Sequence, residues 1–130
     1  MLLNLSNHPS SSWPENQKQK ALEHYAEILD IPFPAIDPGW SEMKIAQLAS
    51  EYSRLCLGKL NAKPCTHSHS AAHIMGELTF CFAVVSLLQK KGVRCVASTT
   101  VRIANQNGKV RISEFSFVRF REYPDLENIK

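Results

Sequence analysis

Apolar and polar positions alternate between two periods along the chain. Leu2-Leu3-Asn4-Leu5 is a short apolar run halted by Ser6-Asn7-His8-Pro9-Ser10-Ser11-Ser12, which predicts a strand ending in a polar loop. Pro14 suits a helix start, and the sparse apolar positions Ala21, Leu22 and Tyr25 predict a surface helix to about Tyr25. Glu27 to Ile31 reads as a second strand, closed by the prolines at 32, 34 and 38. Ile45, Leu48, Ala49, Tyr52, Leu55 and Cys56 recur at spacings of three and four, an amphipathic helix capped by Ser41 and expected to stop at Gly58.

The remainder repeats the alternation. After a polar linker over 59–70, Ala71 to Met75 is a third strand. Gly76-Glu77 opens a helix from Leu78 to about Lys90, apolar nearly all round and therefore expected to pack centrally, with Gly92 as its stop. Val93 to Ala97 is a fourth strand, followed by Ser98-Thr99-Thr100. Thr100–Ala104 and Lys109–Arg121 flank Asn105-Gln106-Asn107-Gly108, a hairpin signal. The order predicts a single α/β domain over residues 1–130: a Rossmann-like three-layer sandwich, its mostly parallel sheet carrying a C-terminal antiparallel hairpin strand at one edge. The favoured strand order is 2-1-3-4 with the hairpin strand outermost.

Composition adds bounds. At 130 residues and 44% hydrophobic the chain supports one core, and no apolar run reaches membrane-spanning length. The N-terminal segment MLLNLSNHPS lacks a basic start, so a cytoplasmic location is expected, with the four cysteines reduced. The net charge of +3 hides an asymmetry: residues 1–58 carry −3, whereas residues 89–121 carry +7. A basic second half suits a phosphate-bearing partner, although several of these side chains also fit solvent-facing positions.

Candidate chemistry follows from topology. In open α/β sheets ligands bind beyond the carboxyl ends of the strands, where strand order reverses. Three segments should meet there: Ser6 to Ser11, Met75 to Thr79, and Ser98-Thr99-Thr100 with Arg102. Ser6, Asn7, Ser10, Ser11, Gly76, Thr79, Ser98, Thr99 and Thr100 are small hydroxyl, amide or glycine residues able to approach an anion, and Arg102 could clamp one. His8 and Glu77 are the candidate proton carriers. Plainer roles stand beside these: Ser10 and Ser11 as helix caps, Gly76 as a tight turn, Glu77 as a dipole partner, Arg102 as an exposed charge. Neither a GxGxxG nor a P-loop motif is present. Cys65, His67, His69 and His73 match no standard zinc spacing, so neither a metal nor a cofactor is expected.

The segments NLSNHPSSSW, DIPFPAIDP, AHIMGELTF and KGVRCVASTTVR through FSFVRFREY look like a small group of stand-alone CRISPR-associated proteins. These resemble a minimal Rossmann-like CARF domain, the module that senses cyclic oligoadenylates in type III CRISPR systems, and the likeness spans Leu2 to Tyr123. The resemblance implies a homodimer that binds cyclic tetra-adenylate across its two-fold axis. Such a protein either sequesters the ring or cleaves it slowly without metal, as a ring nuclease leaving a 2′,3′-cyclic phosphate. DNA is not an expected partner. Two other classes stand beside this one: a nucleoside deoxyribosyltransferase-like enzyme using Glu77 as nucleophile, and a non-catalytic subunit that docks on RNA or protein through the basic segment.

Overall fold

A computed structural model of the chain describes residues 1–62, 69–108 and 110–129, with the side chains of 105–107 and 110–113 outside that description. Five strands form one sheet: β1 (Leu2–Ser6), β2 (Ile28–Asp30), β3 (Ala71–Met75), β4 (Cys95–Asn107) and β5 (Val110–Glu122), in the order β2-β1-β3-β4-β5. Strands β1 to β4 are parallel and β5 is antiparallel to β4. The predicted fold class and strand order are both found.

Three α-helices cover the sheet: α1 (Glu15–Tyr25), α2 (Glu42–Asn61) and α3 (Leu78–Lys90), with a 3-10 turn at Ser10–Ser12. Alternation along the strands assigns the two faces. Leu3, Leu5, Ala72, Ile74 and Cys95 point to α2 and α3 and build the larger core around Phe80, Val84 and Leu88. Leu2, Ala71 and Val96 point the other way, beneath α1, and meet Trp13, Ala21 and Phe120. That second core is small because α1 brings only Gln17 and Ala21 to full burial. The three layers follow from this division.

Several local expectations need correction. Helix α2 runs past Gly58 to Asn61, because Leu60 is buried against the core and its packing outweighs a mid-helix glycine's cost of about 1 kcal/mol. Helix α3 is not enclosed: Leu78 and Phe82 are 79% and 72% exposed while Phe80, Val84 and Leu88 are buried. The fourth strand and the first hairpin strand are one 13-residue strand, bent by a register shift at Thr99/Thr100. The register skips Val118 there, and a bulge of this kind bends the strand while pairing resumes beyond it. The hairpin turn is also tighter than expected: Asn107 pairs with Val110, and Gly108 takes a φ of +66°.

This long strand shapes the site. Only Cys95 and Val96 of β4 pair with β3, at Ala72 and His73. Ala97 and Ser98 run on level with Ile74 and Met75, and from the shift at Thr99/Thr100 onward β4, with β5, projects beyond the carboxyl ends of the parallel strands.

Candidate functional site

The strand order reverses at β1 and β3: β2 lies on one side of β1, β3 on the other, and the loops after β1 and β3 part company there. Asn7 N–H donates to the Met75 carbonyl at 3.2 Å and ties the two strand ends together. On the α1 face of this edge lies a cleft of about 360 Å³, at the small end of ligand sites. Ser6, His73, Met75 and Ser98 line it from the sheet, and Trp13, Pro14 and Gln17 from the start of α1. His8 and Ser12 come from the β1–α1 loop, while Thr100, Phe115 and Phe117 come from the hairpin. Asn16 Nδ2 donates to the Phe117 carbonyl at 3.2 Å, holding α1 against the hairpin so that the two walls face each other.

A polar chain runs through the sheet beneath this cleft. Parallel register sets Asp30, Asn4 and His73 side by side on β2, β1 and β3, and Ser98 lies two residues beyond Val96, the β4 partner of His73. All four side chains therefore share the α1 face. Asn4 Nδ2 donates to Asp30 Oδ1 at 2.8 Å and to the His8 carbonyl at 3.0 Å. Both partners only accept, so the Asn4 nitrogen faces them and its oxygen faces His73 Nδ1, 2.8 Å away. Asn4 Oδ1 cannot donate, which places the imidazole proton on Nδ1 and leaves the Nε2 lone pair for the Ser98 hydroxyl at 2.7 Å. Ser98 Oγ in turn accepts from Gln17 Nε2 at 3.0 Å.

Every donor in the sequence Gln17–Ser98–His73–Asn4–Asp30 thus points the same way, toward a carboxylate. Burial alone would raise the Asp30 pKa, but donation from the Asn4 and Ser10 side chains and the Ser10 N–H outweighs it and holds the carboxyl below its usual value. His73 is 2% exposed. Burial, and secondarily the nearby His8, push its pKa down to about 4, so it is neutral at pH 7. Its ring also packs against Trp13 and Phe120, with centroids 5.2 and 5.7 Å away.

The β1–α1 loop is held by the same residues. The His8 carbonyl accepts from Asn4 Nδ2, Ser6 Oγ and Trp13 Nε1, the last at 3.0 Å. Ser10 donates to Asp30 through both N–H and Oγ, at 3.1 and 2.7 Å. Among the described residues, no buried side-chain nitrogen or oxygen lacks a partner.

Of the candidates read from sequence, Ser6, His8, Ser98 and Thr100 come together on the cleft. Asn7, Ser10, Ser11, Gly76, Glu77, Thr79, Thr99 and Arg102 are not on its lining. Glu77 is the N-cap of α3: its carboxylate accepts from the Thr79 N–H and hydroxyl and from the Phe80 N–H at 2.8 Å. These bonds, led by that from Phe80 N–H, hold the Glu77 pKa below its usual value. The carboxylate itself fills the anion site at that helix end. Gly76 has a φ of +154° and the Phe33 ring lies where a Cβ would stand. Ser10 serves Asp30, and Thr99 Oγ1 donates to the Arg119 carbonyl across the hairpin.

Asn4, Asp30 and Gln17 are the site residues that sequence reasoning passed over, and His73 was weighed there only as part of a histidine group without zinc spacing. For Asn4 and His73 the signal was a polar residue flanked on both sides by apolar ones in mid-strand, in Leu2–Ser6 and Ala71–Met75; Gln17 and Asp30 carried no such signal. Cys65 and His67 of the histidine-rich linker lie outside the described residues, and no metal-binding group of three occurs among those described. Cys56, Cys81 and Cys95 are buried, with thiols pushed up to about 12 by burial, and act as small hydrophobes. A second groove of about 670 Å³ lies between α3 and residues 123–128, where the exposed Leu78, Phe82 and Leu126 stand beside the polar Gln89, Lys90 and Glu127.

No helix among the described residues is long and apolar enough to cross a membrane. Comparison with curated proteins and with solved structures finds no match. A family model does match, over residues 1–121 of the 130, and by that extent the chain belongs to the Uncharacterized protein MJ1673 family.

Proposed function

We propose that this protein binds cyclic oligoadenylate, with cyclic tetra-adenylate as the working ligand, and regulates type III CRISPR signalling by holding the ring or slowly opening it. The observation that carries the reading is the cleft at the strand-order reversal, which sets hydroxyl groups on its floor against aromatic walls. Such a site suits a nucleotide: Phe115, 69% exposed at the mouth, offers a face for base stacking, and Ser98 and Thr100 offer hydrogen bonds to ribose or phosphate. Arg102 pairs in register with Phe115, so the two share a face of the hairpin and bring a cation to the mouth.

A cleft of about 360 Å³ holds one nucleotide rather than a four-nucleotide ring, so the ring would engage two clefts from two copies of the chain. The projecting hairpin supports that pairing. Val101 and Ile103, 50% and 44% exposed, lie on the hairpin face opposite Arg102 and Phe115, an apolar surface suited to a second copy that leaves the Phe115 ring to the ligand. The expected setting is the cytoplasm, where such a messenger is made and destroyed.

Trp13 lines the cleft and provides an optical test, since ligand contact should change its emission. Titration with cyclic tetra-adenylate should give a saturable change, lost or weakened at least tenfold (about 1.4 kcal/mol) in Phe115→Ala, whose exposed ring can be removed without unfolding the chain. An unchanged affinity in Phe115→Ala would remove the cleft from the reading. Glu77 is occupied by its own helix end, and no observation favours the deoxyribosyltransferase-like alternative.

A further inference from the structure

The polar chain under the cleft has the arrangement of an activated serine. Three strands converge on it: Asn4 from β1, His73 from β3 and Ser98 from β4. Serine oxygen to imidazole Nε2 is 2.7 Å, and imidazole Nδ1 to the amide oxygen is 2.8 Å. The linkage nucleophile–base–orienting group is that of acyl and phosphoryl transfer enzymes, with an amide in the third position. Ser98 and His73 line the cleft, His73 at 2% exposure, while Asn4 is buried behind them. A purely structural histidine needs only satisfied nitrogens. This one has its tautomer fixed by a one-way row of donors ending on Asp30, and its lone pair is aimed at the cleft hydroxyl.

We propose that Ser98 is a nucleophile whose Oγ attacks the phosphorus of a phosphodiester held in the cleft, with His73 as its base and Asn4 and Asp30 as positioning residues. This rests on the cleft being the ligand site proposed above. In the first step the Oγ–P bond forms as the hydroxyl proton passes to His73 Nε2. The bond from phosphorus to the leaving ribose oxygen breaks, and that oxygen takes the proton from His73. In the second step water attacks the phosphoserine diester and gives a proton to His73. The Oγ–P bond then breaks and the proton returns to Ser98. The sum is hydrolysis of one phosphodiester bond, with no metal or cofactor consumed. This path leaves a terminal phosphomonoester, which separates it from attack by a ribose 2′-hydroxyl, whose first product is a 2′,3′-cyclic phosphate.

A fluorophosphonate probe tests the nucleophile without any oligoadenylate. The Ser98 Oγ–P bond forms, the P–F bond breaks, and fluoride leaves with the serine proton. Intact-mass and peptide mass spectrometry should find one adduct per chain, at Ser98, absent in Ser98→Ala. Labelling should slow by about 100-fold in His73→Gln, the scale of a lost general base. The urea midpoint of His73→Gln checks that variant's fold, and Ser98→Cys probes the position in a chain with His73 intact: peptide mass spectrometry should find the new thiol alkylated by iodoacetamide, read separately from Cys65, while buried Cys56, Cys81 and Cys95 are not. Absence of a Ser98 adduct in a chain that still binds cyclic tetra-adenylate would overturn this proposal and leave the binding reading standing. An adduct in a chain that fails to bind the ring would do the reverse. Equal labelling of His73→Gln and the parent chain would overturn the role of His73.

Discussion

At the scale of single residues, the site is governed by side chains that look misplaced in sequence. Asn4 and His73 sit in mid-strand between buried apolar neighbours, and each is almost wholly buried. Burying such groups is tolerable only because each polar atom has a partner, so removing one strands the others at about 1–3 kcal/mol per group. Asn4→Ala should therefore destabilise the fold by several kcal/mol, seen as a lower urea midpoint. Asn4→Asp should be no milder at neutral pH: it keeps the acceptor for His73 but sets a second carboxylate oxygen against Asp30 Oδ1 and the His8 carbonyl.

The pH dependence follows from the same burial. His73 is held near pKa 4 when folded, against 6.5 for the free side chain, so between those values the unfolded chain binds more protons than the folded one. Stability from this group is complete above pH 6.5 and falls as the pH drops toward 4, by up to ~3 kcal/mol. Asp30, lowered below its ordinary 3.8, acts in the same direction at still lower pH. Thermal melting should thus fall between pH 7 and pH 5, and His73→Gln should flatten that slope. None of this chain of bonds was legible from the sequence, because it depends on parallel register between strands about 70 residues apart. Ser6 and Ser98 were legible, since a hydroxyl at a strand's carboxyl end is a local fact.

At the scale of elements, two backbone positions decide how the strands hand over to the helices. Helix α1 ends on Ala26 with a φ of +69°, a left-handed conformation that costs a non-glycine residue roughly 1–2 kcal/mol. Ala26→Gly should raise stability by about 0.5–1 kcal/mol, the rest being offset by glycine's freedom in the unfolded chain. Gly76→Ala should do the opposite, losing at least ~2 kcal/mol, because the new Cβ must displace the Phe33 ring and φ is positive. Chemical denaturation of both variants checks the pair. Element types were readable throughout from hydrophobic period. The boundaries that failed, Gly58 and the break assumed after Ala97, failed because tertiary contacts overrode local signals: Leu60 reaches the core, and antiparallel pairing with β5 carries β4 through Thr99 and Thr100.

At the scale of the whole molecule, sequence order alone was enough to place the reversal point, and with it the edge where a ligand belongs. The cleft lies on the α1 face of that edge, and that was not readable. It depends on how far the hairpin projects and on the hold of Asn16 and Gln17 upon it. The excess of basic residues in the second half also divides by position. Lys90 and Lys91 end α3 far from its Glu77 start, while Arg102 stands beside Phe115 in the hairpin register. Only the latter belongs to the proposed ligand surface. Weakening of ligand binding with salt should accordingly be shallow, reflecting one or two contacts per chain. The central claim is binding of a cyclic oligoadenylate, and incubation with radiolabelled cyclic tetra-adenylate tests it most directly, following retention and products together. One ring held per two chains at micromolar protein, with slow or no opening, is the predicted result. No retention at that concentration would contradict it.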